Sequence, residues 1–324
     1  MDYRRIGGTD LDVSVLCFGP MRSAARDGND NETSKAGARA LEAALDAGVN
    51  FLHSSYEYGT RWMMTDVLRD HPKRNDIHHV IKLPVPDWDD DGKFNETKFR
   101  QRVEDALSEL ATDRIAVLQW MWRARPNDDE HRLPVLANIM DDVNAAFEKL
   151  RDEGKAGYMM TLPYTVPAAR ASLDTGKLSG FVSFLNPIEM ELVEFFPEME
   201  KNNQGFLCIR PLFQGILTDR HQSWDEVPED HYLQRVKKED PHAFDKRAAI
   251  RATFADEIAN ENGGSFARFS QRFPLYSPLV ASMVTGLNTE AQVKDAVEAL
   301  DGIKPRPDLF QKAYDLWKAD FKIT

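Results

Sequence analysis

The chain has 324 residues, 42% of them hydrophobic and 29% charged, and its 53 acidic against 41 basic side chains give a formal net charge of -12. That balance argues against a nucleic-acid groove or an anionic membrane as the main partner, while leaving room for a local basic pocket around a phosphorylated ligand. The two cysteines, Cys17 and Cys208, sit in separate apolar runs with no CxxC or Cys/His spacing, so they read as core residues of a reducing compartment, without disulfide or metal site. The start MDYRRIGGTD holds no hydrophobic signal segment and no run approaches ~20 apolar residues, which points to the cytoplasm and to no membrane partner.

Residues 4–13 alternate around Gly7-Gly8 and read as a small hairpin before a first barrel strand at 13–19. A loop rich in Asp, Asn and Gly (26–31) leads into an amphipathic helix, 33–47, stopped by Gly48. Asn50-Phe51-Leu52 is a short buried strand, and Gly59 breaks the chain before a helix at 62–69. Residues 79–83 form the third strand, followed by an acidic loop, 87–91. Phe99, Val103, Ala106, Leu107 and Leu110 recur at helical spacing behind Thr97 or Asn95 as cap. Strands at 115–120, 158–161, 180–185 and 205–209 alternate with helices at 133–151, 167–173 and 194–201. Residues 219–245 hold three histidines, many charges and little periodicity; a loop that long is an active-site lid or a disordered insert. Helices at 248–260 and 265–273, a strand at 281–286 and helices at 289–300 and 308–318 close the chain.

Regular strand-helix alternation with nearly continuous apolar strands predicts a parallel sheet covered on both faces. Eight such units favour a closed (β/α)8 TIM barrel over an open sheet, and no GxGxxG follows the first strand. No linker divides residues 1–324, which read as one domain with an N-terminal β-hairpin and an extra C-terminal helix. In such a barrel the C-terminal strand ends carry the chemistry, and His53 to Tyr58 crowd polar groups at one of them.

Six segments in order resemble the aldo-keto reductases: MDYRRIGGTDLDVSVLCFGPM, ALDAGVNFLHSSYEYG, VEDALSELATDRIAVLQWMW, LRDEGKAGYMMTLPY, GFLCIRPLFQGILT and MVTGLNTEAQV. The resemblance implies carbonyl reduction of a small molecule with NADP or NAD. The family's site is a tyrosine that protonates the nascent alkoxide, a lysine that lowers its pKa, an aspartate that holds the lysine, and a histidine that orients the carbonyl. Tyr58 and Lys82 match two of these positions; His53 stands at the aspartate position and Met121 at the histidine position. Leu162-Pro163, Leu185 and Ile209 replace the residues that normally hold the nicotinamide, and no basic residue stands near Asn288 for a 2′-phosphate.

The expected catalytic set is therefore Tyr58, Lys82 and His53, although a barrel-lining lysine and a satisfied core histidine are the plain structural alternatives. Gly19, Arg210, Leu212, Gly286, Asn288 and Gln292 are expected to line the cofactor groove, with Arg210 either an anion contact or a surface ion pair. Met21, Trp120, Met121 and Trp122 are expected around the substrate, and no metal is assigned to His221, His231 and His242. A neutral His53 offers Lys82 only a hydrogen-bond acceptor, so burial should depress the Lys82 pKa and weaken the activation of Tyr58. Two functions follow: an aldo-keto reductase-like oxidoreductase with an altered site, or a barrel that has lost hydride transfer and acts as a lyase, an isomerase or a binding protein. Oligomeric state is left open.

Overall fold

The computed structural model describes residues 1–123 and 128–322. Tyr3–Arg5 (β1) and Asp12–Ser14 (β2) pair antiparallel as a hairpin. Ile6, Leu11 and Val13 from it join Phe51, Val80 and Leu207 in one buried cluster, so the hairpin seals one end of the barrel. The approach is close: a Cβ on Gly205 would lie 2.6 Å from Ile6 Cγ2. Val13 thus belongs to the hairpin, and the first barrel strand begins only at Leu16.

The barrel strands are Leu16–Gly19 (β3), Phe51–Ser55 (β4), His78–Pro84 (β5), Ile115–Met121 (β6), Ala156–Thr161 (β7), Gly180–Phe184 (β8), Gly205–Ile209 (β9) and Val280–Gly286 (β10). All pair parallel, in the closed order β10-β3-β4-β5-β6-β7-β8-β9. The eight-unit (β/α)8 reading therefore holds. Side chains alternate along each strand. Phe51, Val80, Val117, Met121, Met160, Leu162, Val182, Leu207 and Ile209 fill the barrel interior. Leu52, Ile81, Leu83, Leu118, Trp120 and Met159 pack outward under the helices.

The helices before the last β-α crossover are Glu32–Asp46 (α1), Arg61–Leu68 (α2), Glu96–Glu109 (α3), Asp129–Asp152 (α4), Val166–Asp174 (α5) and Phe196–Lys201 (α6). Asn31 caps α1 and Asn95 caps α3, each accepting from the backbone N–H three residues on. Then come Leu233–Glu239 (α7), Ala243–Thr253 (α8), Ala255–Glu261 (α9), Phe266–Arg272 (α10), Glu290–Leu300 (α11) and Pro307–Lys318 (α12).

Two expectations need correction here. Residues 219–245 are not an unstructured insert: α7 buries Leu233 and Val236 on one face, and Trp224 Nε1 donates to Pro241 O at 2.7 Å. Two apolar residues three apart among charges were enough to anchor a short helix. The single helix expected over 248–260 is two, broken at buried Phe254. Among the described residues no helix is long and apolar enough to cross a membrane, and Cys17 and Cys208 are free and buried.

Candidate active site

The site begins where β4 ends. Ser55 Oγ accepts from Glu57 N and starts one 3-10 turn, Tyr56–Tyr58. Gly59 ends it at φ 63°, where a Cβ would lie 2.9 Å from Arg26 O, so glycine is required. The turn sends Tyr56 outward and Tyr58 inward. Tyr58 is buried, its ring centroid 6.0 Å from that of His53 and 5.2 Å from Lys82 Nζ.

Beneath Tyr58 lies a polar pair inside an apolar barrel. Gln119 Nε2 donates to Val182 O at 3.1 Å, which fixes the amide so that its Oε1 accepts from His53 Nε2, 3.0 Å away. His53 is therefore the Nε2–H tautomer, with Nδ1 left as an acceptor. Burial first, and then the Lys82 charge, push its pKa down to about 3, so it is neutral at physiological pH.

The register places Lys82 between Ser55 and Gln119 on the two flanking strands. Burial and then the neighbouring Arg123 lower its pKa to about 8, with Glu57 opposing. Its ammonium faces the Tyr58 ring rather than donating to its hydroxyl. Burial and Glu57 raise the Tyr58 pKa well above its ordinary value, and Arg123 is the cation that opposes the rise. Arg123 is thus the cation that bears on the Tyr58 hydroxyl, where the family resemblance led us to expect Lys82.

Arg123 and its surroundings were missed from sequence. Arg123 reaches Glu57, its Nε lies 3.7 Å from Asp87 Oδ1, and the Tyr164 hydroxyl lies beside it. Asp87 is already held by Tyr56 OH at 2.6 Å, Arg102 Nη2 at 2.9 Å and Trp88 N at 2.9 Å. One signal was available: Arg123 stands two residues beyond Met121, which strand alternation puts on the same side.

Alternation also corrects the substrate-pocket set. Met121 points into the barrel, buried beside Leu162 and Ile209. Trp120 points the other way, into the outer layer, where its Nε1 donates to Val85 O at 2.8 Å; Trp122, one residue beyond β6, is buried against Gly92 in the loop after β5. Met21 is 42% exposed, on the loop after β3.

The residues expected at the cofactor lie across β3, β9 and β10. Gly19 and Gly286 are register partners; a Cβ on Gly19 would lie 2.7 Å from Thr285 O, while one on Gly286 meets nothing within 4 Å. Thr289 caps α11 by accepting from Gln292 N at 3.3 Å, and Gln292 Oε1 accepts from Asn288 N at 2.8 Å. Glu290 in the first turn pairs with Arg39 at 3.2 Å. Open space at Gly286 beside the positive end of a helix fits a cofactor phosphate, and Gly19, Gly286 and the start of α11 are the residues that would hold it. Leu212 is half-buried beyond β9. Arg210 makes a two-point ion pair with Glu189, at 2.6 and 3.0 Å, between the rings of Phe184 and Phe213. Burial lifts Glu189 to about 7 despite that arginine.

A separate cavity of about 400 Å³ opens on the flank behind α2, lined by Arg26, Tyr56, Arg61 and Trp62 among others. Arg61 there is already bound to Glu109 at 2.7 Å and Ser54 at 3.2 Å. Among the described residues no group of three or more His, Cys, Asp or Glu is placed to hold a metal.

The sequence pattern of the aldo/keto reductase family matches residues 15–305. YqkF of Bacillus subtilis, an uncharacterized oxidoreductase, is 24% identical over 314 residues, covering 92% of this chain and 91% of that protein. A probable voltage-gated potassium channel subunit beta of Oryza sativa is 25% identical over 327 residues, covering 94% and 92%. Among solved structures, the glycerol dehydrogenase of Gluconobacter oxydans matches with a TM-score of 0.74 at 21% identity, covering 100% of this chain and 97% of that one. The holo form of an aldo-keto reductase from Bacillus halodurans gives 0.73 at 19%, covering 98% and 96%. At these identities the structural likeness speaks for the fold.

Proposed function

The chain belongs to the aldo/keto reductase family, and on that footing we propose that it is a nicotinamide-dependent oxidoreductase that reduces a carbonyl of a small molecule, with Tyr58 as proton donor. The observation that carries this reading is the placement of Tyr58, buried at a strand exit against Lys82 and His53 with Arg123 as the opposing charge. A nicotinamide, when bound, supplies the hydride. Tyr58 keeps its proton until negative charge develops on the carbonyl oxygen, and then gives it up. Arg123 offsets the phenolate that remains. His53 stays neutral and, through Gln119 and Val182 O, is held in one tautomer with Nδ1 as an acceptor. Met121, Leu162 and Ile209 form an apolar wall that keeps water from the reacting carbon.

Glu290 at the head of α11 disfavours a 2′-phosphate, and Arg39 is spent on it, so little preference for NADP over NAD is expected. Free buried cysteines support a reducing, cytoplasmic compartment. The test is oxidation of NADH and NADPH, followed by absorbance, in the presence of small aldehydes and oxo acids. Carbonyl-dependent oxidation supports the reading; its absence with both cofactors contradicts it.

A further inference from the structure

Around Tyr58 two cations, Lys82 and Arg123, share one close carboxylate, Glu57. Lys82 Nζ lies 5.2 Å from the centre of the Tyr58 ring, and Arg123 is close enough to bear on both the phenol and Lys82. The only carboxylate in contact with Arg123 at hydrogen-bond range among the described residues is Glu57, whose side chain is 34% exposed. Asp87 is committed to Tyr56, Arg102 and the Trp88 N–H, and stays 3.7 Å from Arg123 Nε. That Nε is buried and has no hydrogen-bond partner among the described residues. Among the described residues Lys82 Nζ makes no ion pair within 4 Å, and it lies 5.2 Å from the centre of the Tyr58 ring. Holding two part-desolvated cations side by side is unfavourable unless an anion joins them. In a protein of net charge -12 this is a basic spot in an acidic molecule.

Met121 adds a second constraint. It offers no hydrogen bond to a ligand, so polar contacts on that side must come from Arg123, two residues further along the same face. A guanidinium takes a carboxylate through two parallel N–H donors.

We propose that Arg123 and Lys82 form a carboxylate-binding site beside Tyr58, and that the substrate is a short oxo acid whose carboxylate lies one or two carbons from the carbonyl. The substrate class rests on the oxidoreductase reading above; the anion site does not. On this proposal the carboxylate takes Arg123 and Lys82, the carbonyl takes the Tyr58 hydroxyl, and the buried apolar cluster of Met121, Leu162 and Ile209 supplies the rest of the pocket.

The experiment uses oxamate, a carboxylate that cannot be reduced, against ethyl oxamate, its neutral ester, by calorimetry with and without NADH. Oxamate should bind at least about tenfold more tightly than the ester, as a charge-assisted hydrogen bond implies. At pH 8 its binding should take up protons, because the bound anion favours charged Lys82. Arg123→Gln should abolish the preference and Arg123→Lys should restore part of it. The ester comparison needs no variant, so it decides the matter even where Arg123→Gln fails to fold. Equal affinity for acid and ester, no binding of oxamate, or an unchanged Arg123→Gln would overturn the proposal. Turnover separates the two ideas. Oxamate binding without NAD(P)H oxidation by pyruvate upholds the anion site and contradicts hydride transfer. Equal kcat/KM for pyruvate and methyl pyruvate upholds hydride transfer and overturns the anion site.

Discussion

His53 Nε2 donates to Gln119 Oε1 at 3.0 Å, and Gln119 in turn donates to Val182 O, so a backbone carbonyl two strands away decides which nitrogen of His53 carries the proton. This is a different solution from a carboxylate beside the lysine. A carboxylate would hold Lys82 charged; a neutral imidazole leaves burial and Arg123 in control.

Replacing His53→Asp should therefore bring Lys82 from about 8 back toward the 10.5 of an ordinary lysine. The new carboxylate would face Gln119 Oε1, so the amide must turn and abandon Val182 O, at a cost of about 1–3 kcal/mol. Titration of the lysines by NMR after reductive methylation, with Lys82→Arg as the assignment control, reads the first effect, and urea unfolding reads the second. An unchanged Lys82 would mean that the two side chains are not electrostatic neighbours. Adding Met121→His rebuilds the family constellation, and carbonyl reduction should rise about 10- to 1000-fold.

Acid should destabilise the fold early. His53 and His79 are buried with pKa values lowered from 6.5 to about 3 and about 4. Because the folded values lie below the unfolded one, the unfolded chain binds more protons below pH 6.5, and stability falls as pH drops. Each histidine then costs about 2 kcal/mol between pH 6.5 and about 5. His79 Nδ1 has no partner among the described residues, so His79→Leu should remove its share of that slope. Denaturant unfolding at the two pH values checks this; an unaltered slope in the variant counts against it.

Cofactor choice should turn on Glu290. Its carboxylate sits in the first turn of α11 and holds Arg39. Glu290→Gln removes the negative charge and releases the arginine, so affinity for NADPH should rise about 3- to 10-fold relative to NADH. Fluorescence titration with both cofactors is the check, and a selectivity that does not move would place the 2′-hydroxyl elsewhere.

The segment 219–245 should resist protease nearly as well as the barrel, because Leu233 and Val236 are buried. Leu233→Ala should open it, at a cost of about 2–5 kcal/mol to α7 docking. Cleavage of the unsubstituted protein first within 219–245 would contradict that anchoring.

The barrel was legible because its strands are apolar runs separated by amphipathic helices, and Gly48, Gly59 and Asn95 mark where elements start or stop. Tyr58, Lys82, His53 and Met121 could be located because they stand on β4, β5 and β6 or on the turn directly after β4. The cluster around Arg123 could not, since Glu57, Asp87 and Tyr164 come from three different loops and meet only when the barrel closes. Trp120 was misplaced through neglect of alternation: one inward residue at 121 requires 120 to point outward. The α7 helix was missed because only Leu233 and Val236 mark its buried face.

The central claim is that Tyr58 delivers the proton in a hydride-transfer reaction. The most direct measurement is the rate of NAD(P)H oxidation with pyruvate and with small aldehydes, for the unsubstituted protein and for Tyr58→Phe, after circular dichroism shows that both are folded. The account predicts carbonyl-dependent oxidation that falls by about 100-fold or more in Tyr58→Phe, with cofactor affinity unchanged. Equal rates in the two proteins would contradict it.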